Sequence, residues 1–371
     1  MISTRKLTIF YDQHFSTYIW LSFLLYAKSS LRAAGLDVQI YGGFVDSLSE
    51  NKRTAVDLEK IIEKKHYDII GFAFHNSSTI YNNEPELAQL LTIAKVQSNK
   101  IVWFDTSDSC GSCQFQVLPF VDKYLKKQLY KDFSLYQRKV WGNRIFFEYY
   151  HNAFGATDEK ISTEHQCLLK DEYAYKIALS WNVGLGDYLS PRFYKIFDSK
   201  RFHFLHSFVK PSENRSIDLH FRGSQQGTVV GFQRRLVMNQ FQIFSGIKTP
   251  NEKADANHKQ YLCELKDSKS VVSPFGWGEI CLRDFEAFVY GCILIKPDMS
   301  HVDTFPQYYI PYQTYIPMSW DVSDLSTIAL KIHNEYDDLS SIANKAQQLY
   351  RRSLSKQGQD DFAQHIAKEI L

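Results

Sequence analysis

Acidic and histidine side chains follow three apolar segments in the N-terminal half of the sequence. Asp12 and His14 come after the first segment, His75 after a second, and Asp105 and Asp108 after a third. A carboxylate or an imidazole can act as a general base that takes a proton from an attacking hydroxyl group. We rank Asp12, His14 and Asp105 first as candidate bases, although for each of them an ordinary polar residue of a loop is the commoner case.

Two arginines in the C-terminal half are candidates to bind a phosphorylated ligand. The stretch His-Phe-Arg-Gly-Ser at 220–224 places Arg222 and Gly223 directly after a predicted strand, and Arg235 lies in the first turn of the next predicted helix. Arginine binds phosphate groups through a planar fork of donors. We therefore predict phosphate contacts for Arg222 and Arg235, with Lys296 in reserve. The alternative for Arg222 is an ordinary ion pair at the surface.

The segment 273–298 combines several features of a phosphate-binding crevice. Gly276, Trp277 and Gly278 form a turn in which glycine lets the backbone approach a ligand and the indole offers a flat face for stacking. A predicted helix follows from about residue 279, ends at Gly291, and leads into an apolar strand. In open α/β sheets, helix N-termini and the carboxyl ends of strands meet phosphorylated ligands in one crevice.

Three charged residues of that predicted helix lie on one face. Glu279, Arg283 and Glu286 are spaced at i, i+4 and i+7, so their side chains form a single stripe. We assign this stripe to ligand binding. The alternative is an exposed ladder of ion pairs, each worth only about 0.2–0.5 kcal/mol.

The elements that must position these residues alternate between strands and helices. Predicted strands lie at 7–11, 38–41, 68–74, 101–104, 218–221, 270–273, 292–295 and 315–317. Predicted helices lie at 17–34, 56–65, 84–97, 232–244, 279–290, 322–335 and 338–371. Continuous apolar strands separated by helices predict parallel sheets that are covered on both faces.

The predicted architecture is therefore an α/β fold of two Rossmann-like parallel-sheet domains that face each other across a cleft, with helices at the C-terminus. We expect the first domain at 1–170, a junction at 171–215, the second domain at 216–340 and a C-terminal helix at 341–371. A cleft between two such domains suits a transferase that must bring two substrates together.

Bulk composition narrows the class of protein. The chain has 371 residues and a net charge of only +2, which is too balanced for a protein that binds nucleic acid through a basic surface. Its six cysteines show no disulfide framework and favour a reducing compartment. We find no signal peptide and no apolar run that could span a bilayer. A cytoplasmic protein is expected, with peripheral association at the inner face of the membrane as a further expectation.

Several short motifs carry little weight. Cys110 and Cys113 form a CxxC that lacks the second pair a zinc site needs. Gly184 and Gly186 lack the third glycine of a dinucleotide fingerprint, and there is no Walker A motif. The pair Asp105 and Asp108 could form a metal-binding acidic motif, but the alternation of strands and helices over two domains argues against the fold that uses it. No metal site or cofactor is predicted.

The stretch GWGEICLRDFEAFVYGCILIKPD at 276–298 resembles the donor-binding segment of GT-B glycosyltransferases, most closely exostosin-like and related bacterial polysaccharide glycosyltransferases. That segment often reads Gly-aromatic-Gly, a short insert, Glu-Ala and then Ala-Gly-Cys before a strand. Here those elements are Gly276-Trp277-Gly278, Glu286-Ala287 and Gly291-Cys292-Ile293. The specific resemblance covers about 40 residues, roughly 270–310, and the two-domain layout extends it over the chain in outline.

The resemblance implies a role for several residues. Glu286 would bind the ribose hydroxyls of a nucleotide sugar, the turn at 276–279 would lie by the diphosphate or the sugar, and His301 and Asp303 would lie near the transferred sugar. Retaining enzymes of this fold commonly place two glutamates eight positions apart, whereas Glu279 and Glu286 are seven apart. The stereochemical outcome is therefore left open.

The predicted function is transfer of a sugar from a nucleoside-diphosphate sugar, held by the second domain, to a hydroxyl of a glycan or lipid-linked glycan bound by the first. Arginines and backbone N–H groups would stabilise the donor phosphates without a metal ion. Two alternatives remain. The same fold could act on a protein or a modified nucleobase, or the chain could be a non-catalytic nucleotide- or glycan-binding protein.

Overall fold

The computed structural model describes residues 4–12, 14–41, 54–159, 161, 166–184, 208–212, 214–223, 229–250 and 257–371. Within them the chain forms two separate parallel sheets, one in each half of the sequence. This arrangement confirms the predicted α/β fold with two Rossmann-like sheets, the layout that the resemblance to GT-B enzymes implied.

The first sheet has six parallel strands in the order β2-β1-β3-β4-β5-β7. The strands are β1 (Arg5–Tyr11), β2 (Leu36–Tyr41), β3 (Ile69–Ala73), β4 (Ile101–Asp105), β5 (Lys123–Lys126) and β7 (Ile177–Leu179). Every residue of β3 and β4 is buried, as expected for strands covered on both faces. The strand order reverses between β1 and β3, so the crevice at their carboxyl ends is the place where such sheets bind ligands.

Helices cover this sheet and connect its strands. They are Phe15–Tyr26, Lys28–Ala33, Ala55–Ile62, Thr79–Asn82, Glu84–Val96 and Ile145–Phe154. The predicted helix at 17–34 is divided at Ala27, whose ψ of 13° departs from helical geometry. β7 lies inside the expected junction at 171–215, so the first sheet extends beyond residue 170. The domain boundaries themselves stay a prediction.

The second sheet has four parallel strands in the order β12-β10-β9-β8. The strands are β8 (Ile217–His220), β9 (Ser268–Val272), β10 (Ile293–Pro297) and β12 (Ile316–Met318). The helices of this half are Val229–Ile243, His258–Lys266, Leu282–Tyr290, Leu325–Asn334, Tyr336–Leu354 and Lys356–Ile370. The predicted C-terminal helix at 338–371 is thus two helices, separated at Ser355, whose hydroxyl accepts a hydrogen bond from the N–H of Gly358.

The contacts that join the halves include a strand pairing and the packing of the last helix. The short strands β6 (Gln128–Tyr130) and β11 (Val302–Thr304), from opposite halves, pair as an antiparallel ribbon. The last helix returns to the first half, where the ring of Phe362 lies 4.7 Å from that of Phe23 and 5.4 Å from that of Trp181. These contacts hold the ends of the two sheets beside one another. Among the described residues no helix is long and apolar enough to cross a membrane.

Candidate functional site

Asp12 ties together the two loops at the point where the first sheet reverses. Its Oδ1 accepts a hydrogen bond from the N–H of His14 at 3.0 Å, and its Oδ2 accepts one from the N–H of His75 at 2.7 Å. Asp12 is itself buried. Both oxygens of this carboxylate are already engaged by backbone donors of the two loops, so the geometry favours a structural role for Asp12 over the predicted catalytic one.

His14 and His75 stack against each other above this carboxylate, with ring centroids 4.0 Å apart and planes 9° apart. The Nδ1 of His14 accepts from the N–H of Ser16 at 3.3 Å, and the Nδ1 of His75 accepts from the N–H of Ser77 at 3.1 Å. In a neutral ring that accepts at Nδ1, the proton is on Nε2. Burial and the neighbouring His14 lower the pKa of His75. The Nδ1 of His14 is thus already engaged by a backbone donor, and its role as a base stays a prediction.

Asp105 is enclosed in the core of the first half. Its Oδ2 lies 3.0 Å from the Nζ of Lys126, its Oδ1 accepts from the N–H of Ser107 at 2.8 Å, and the hydroxyl of Tyr124 also donates to it. The side chains of Asp105 and Lys126 are 0% exposed. Asp105 cannot reach an acceptor hydroxyl in this structure, so its candidate role as a base is replaced by that of a buried ion pair.

Asp108, three residues further on, has the opposite environment. Its side chain is 64% exposed and lies 3.9 Å from the Nζ of Lys127. Both residues line a cavity of about 170 Å³ between the two halves, together with Ser16 of the first half and Cys281 and Leu282 of the second. Asp108 is thus a carboxylate that can meet a bound ligand.

On the other side of this cavity the helix Leu282–Tyr290 begins, and Asp284 fixes its start. Asp284 accepts from the N–H of Cys281 at 3.1 Å, from the hydroxyl of Ser273 at 2.5 Å and from that of Tyr309 at 2.8 Å. Lys296 lies 3.0 Å from the same carboxylate, and both side chains are completely buried. Lys296 therefore neutralises Asp284 and does not serve as the reserve phosphate ligand.

Two arginines lie beside the N-terminus of this helix. Arg283 donates from Nη2 to the carbonyl oxygen of Arg222 at 2.7 Å, and its buried Nε has no hydrogen-bond partner among the described residues. Burial and the like charge of Arg283 lower the pKa of Arg234. A Cβ placed on Gly223 would lie 3.4 Å from the Cδ of Arg234, so Arg234 packs against the loop after β8. Arg235 instead has its guanidinium 5.7 Å from the ring of Phe232.

Arg222 is bound to a carboxylate of its own half. Its Nε and Nη2 each lie 2.6 Å from an oxygen of Glu264, and the Nε2 of His220 lies 3.1 Å from the same group. Burial lowers the pKa of His220 to about 4, so this ring is neutral at pH 7. The ion pair weighed as the alternative for Arg222 is therefore present, although largely buried.

Glu286 lies one turn beyond Arg283 on the same helix. Its side chain is largely buried, the hydroxyl of Tyr261 donates to its Oε2, and burial raises the pKa of Glu286. The loop after β8 and the helices His258–Lys266 and Leu282–Tyr290 thus bring Arg222, Arg283 and Glu286 close together, through contacts with one another and with the helix His258–Lys266.

The Gly-Trp-Gly turn contacts the first half of the chain. A Cβ on Gly278 would lie 1.8 Å from the carbonyl oxygen of Asp108. The carbonyl of Trp277 accepts from the Nε of Arg144, and the Trp277 side chain is 48% exposed. The N–H of Gly276 bonds to the carbonyl of Gly278 at 3.0 Å. The backbone of Gly278 therefore lies close to Asp108 of the first half, whereas the sequence predicted a close approach to a ligand.

Glu279 precedes the helix, so the predicted stripe of Glu279, Arg283 and Glu286 is wrong. Its buried Oε2 accepts from the N–H of Cys110 at 2.9 Å and from Gln128 at 3.2 Å, and its Oε1 has no partner among the described residues. His301 is partly buried, with its ring 5.2 Å from that of Trp320. Burial lowers the pKa of His301, against the opposing effect of Glu279. Both residues lie where the halves meet.

Sequence reasoning missed Arg234 and Glu264, and it ranked Asp108 below Asp105. Helical spacing could have identified Arg234 as the inward-facing arginine of the pair. It follows the buried Val230 by one turn and so lies along the packed side of its helix. Nothing in the sequence pairs Glu264 with Arg222, since 42 residues separate them.

A scan against models of known protein families gives no match, and a search of curated proteins gives no significant relative. Solved glycosyltransferases are similar in structure. HepE of Anabaena, in complex with UDP and glucose, is 11% identical with a TM-score of 0.42 over 95% of this chain and 97% of that one. A glycosyltransferase from Rickettsia africae is 13% identical with a TM-score of 0.43 over 100% and 99%. An alpha-glucosyltransferase in complex with UDP and a 13-mer DNA is 10% identical with a TM-score of 0.47 over 94% of each.

These identities and TM-scores are low, so the likeness concerns the fold at most. The two parallel sheets, with a cavity between their halves, define a protein of the α/β class with a GT-B-like fold. The function proposed next rests on the contacts of this chain alone.

Proposed function

We propose that the chain is a glycosyltransferase that moves a sugar from a nucleoside-diphosphate donor to a hydroxyl of a glycan or lipid-linked glycan. One observation carries the proposal. The cavity between the halves has an accessible carboxylate, Asp108, on one side and the start of the helix Leu282–Tyr290 on the other. These are the two groups that sugar transfer needs, a base for the acceptor and a positive site for the leaving diphosphate.

The positive site is built from a helix N-terminus and two arginines. The unpaired N–H groups of a helix carry a partial positive charge of about half an elementary charge. Arg234 and Arg283 add two full charges that repel each other, which adds to the effect of burial in lowering the pKa of Arg234. A donor diphosphate would relieve that repulsion. We therefore propose that the reaction needs no divalent cation.

Nucleoside recognition is assigned to the same helix. Glu286 lies on it, three residues after Arg283, and the hydroxyl of Tyr261 holds its Oε2. The other carboxylate oxygen can accept from ribose hydroxyls. The exposed indole of Trp277 offers a face for stacking against a ring of the donor.

Asp108 supplies the base in this proposal. Its carboxylate takes the proton of the acceptor hydroxyl while that oxygen forms a bond to the anomeric carbon. The bond between the anomeric carbon and the diphosphate oxygen breaks, and the electron pair leaves with the nucleoside diphosphate. Lys127, whose Nζ lies 3.9 Å from Asp108, lines the same cavity.

The donor site is tested by thermal shift with UDP, GDP, CMP and TDP. At least one nucleotide should raise the melting temperature by mass action. Arg234→Ala should lower the affinity about tenfold or more, because a hydrogen bond to a charged group is worth about 1.5–3 kcal/mol. Arg235→Ala is the matched control and should keep the wild-type shift. No response to any nucleotide, or equal losses in both variants, would remove the donor site.

Transfer itself separates an enzyme from a binding protein. With the nucleotide sugar that gives the largest shift, the enzyme should form a glycoside or slowly hydrolyse the donor, and a binding protein should do neither. Activity should persist in EDTA. Complete loss that Mg²⁺ restores would overturn the metal-independent mechanism.

The cellular setting is proposed on chemical grounds. All six cysteines are free thiols, which supports a reducing compartment such as the cytoplasm. We place the activity in polysaccharide or surface-glycan biosynthesis, with the acceptor presented there or at the inner face of the membrane.

A further inference from the structure

A second, larger cavity of about 490 Å³ lies within the first half of the chain. This size is typical of pockets that bind small molecules. Its walls come from the loops that follow β3 and β4 and from the segments near residues 130–143 and 166–167. It does not overlap the cavity between the halves, because the two share no lining residue.

We propose that this cavity binds the acceptor, and that the acceptor portion it takes is an uncharged carbohydrate. This inference rests on the glycosyltransferase function proposed above and names the substrate class for its acceptor side.

The first argument is the chemistry of the walls. Four amide side chains line the cavity, Asn82, Gln116, Asn143 and Gln166. Amides offer donors and acceptors together, which matches the paired hydroxyl groups of a sugar ring. Aromatic rings line the remainder, among them Tyr81, Phe115, Tyr130 and Tyr136, and their flat faces pack against the apolar faces of sugar rings.

The second argument is the charge. Among the described residues of the lining, Glu84, at the exposed edge, is the only acidic one, and none is a lysine or an arginine. Sites for phosphate groups are built from such cations. A lipid diphosphate or a nucleic acid in this cavity would find no counter-charge and would meet the carboxylate of Glu84. The lining therefore selects against anionic acceptors.

The third argument is an unsatisfied polar atom. Asn143 lines the cavity, and its buried Oδ1 has no hydrogen-bond partner among the described residues. Buried polar atoms almost always have a partner, so this oxygen is a ready acceptor for a ligand hydroxyl. The backbone of Asn143 has a φ of 59° and packs against Gly111. A Cβ on Gly111 would lie 2.0 Å from the backbone carbonyl oxygen of Asn143. The amide position is thus fixed by tight packing.

The cavity also lies close to the proposed base. Asp108 lines the cavity between the halves, and Gly111 lines the second cavity. Three residues span at most about 10 Å. A sugar bound in the second cavity can therefore present a hydroxyl towards Asp108.

Binding can be measured without turnover, through the exposed thiol of Cys167 in the cavity wall. Cys167 and Cys263 are exposed, Cys113 and Cys281 are partly buried, and Cys110 and Cys292 are buried. In a background of Cys113→Ser, Cys263→Ser and Cys281→Ser, the accessible thiol is therefore that of Cys167. Its alkylation by a maleimide is followed by mass spectrometry at about pH 8.5, because burial raises the pKa of Cys167. The probes are maltose, cellobiose and lactose, compared with glucose 6-phosphate and a short single-stranded DNA.

At ten times its dissociation constant, a neutral disaccharide should slow the alkylation about tenfold, and the anionic probes should not slow it. Asn143→Gly removes the amide and suits the positive φ, so it should abolish this protection and leave the nucleotide-induced thermal shift unchanged. Asn99→Ala, remote from the cavity, is the control and should retain protection. Protection by anionic probes alone, protection by none of the probes, or protection that survives Asn143→Gly would overturn the proposal. A missing nucleotide shift with intact saccharide protection would instead refute the donor site.

Discussion

Asp105 and Asp108 come from the same loop, and exchanging each for asparagine separates a structural carboxylate from a catalytic one. Asp105→Asn removes the charge that faces Lys126 at 3.0 Å, and both of these side chains are fully buried. Among the described residues, Lys126 also donates to the carbonyl oxygen of Ser112 at 2.7 Å, but no second carboxylate bonds to it. Asp108→Asn removes an exposed carboxylate whose nearest cation is 3.9 Å away.

The magnitudes follow from burial. Removing one partner of a buried ion pair costs about 3–5 kcal/mol, because the remaining charge stays buried and uncompensated. An exposed ion pair contributes only about 0–1 kcal/mol, so Asp108→Asn should leave the free energy of unfolding nearly unchanged. If Asp108 is the general base, its loss should lower kcat about 10²–10⁴-fold.

The assay measures both quantities on both variants. Urea unfolding followed by tryptophan fluorescence gives stability, and transfer from the nucleotide sugar identified by thermal shift gives kcat. We expect Asp105→Asn to lose stability and keep most of the kcat of its folded fraction. We expect Asp108→Asn to keep stability and nucleotide affinity and to lose turnover. Normal turnover in Asp108→Asn, or full stability in Asp105→Asn, would refute the reasoning.

Three further predictions follow from the contacts of the second half. Between pH 6.5 and about 4 the unfolded chain binds a proton at His220 that the folded protein does not, so the stability of the protein falls with falling pH. In urea unfolding, His220→Gln should reduce this dependence by up to about 1.4 kcal/mol per pH unit. An unchanged dependence would contradict the lowered pKa of His220. Gly278→Ala should lower both stability, by about 1–3 kcal/mol, and turnover, because its Cβ would lie 1.8 Å from the carbonyl oxygen of Asp108. Gly276→Ala, with its nearest neighbour at 3.4 Å, is the matched control in the same assays. Glu286→Gln should weaken nucleotide binding about tenfold in calorimetry, and wild-type affinity would exclude the ribose contact.

Local sequence patterns were sufficient for most of the regular elements. Apolar runs such as 101–104 and 292–295 correspond to strands β4 and β10, since a strand covered on both faces must be apolar throughout. The short strands β5, β6, β7 and β11 were missed. β6 and β11 pair with each other across the two halves of the chain, and such a pairing leaves no periodic signal in either segment.

The sequence by itself determined the fold class, the two-sheet layout and the loops in which functional residues lie, because hydrophobic periodicity and the polar ends of strands are local properties. Only the tertiary structure decided which residues in those loops face the cavity. Asp108 is accessible while Asp105 is buried, and Arg234 lies beside Arg283 while Arg235 lies over Phe232. The physical reason is that burial and charge pairing depend on neighbours far away in the sequence, such as Lys126 for Asp105 and Glu264 for Arg222.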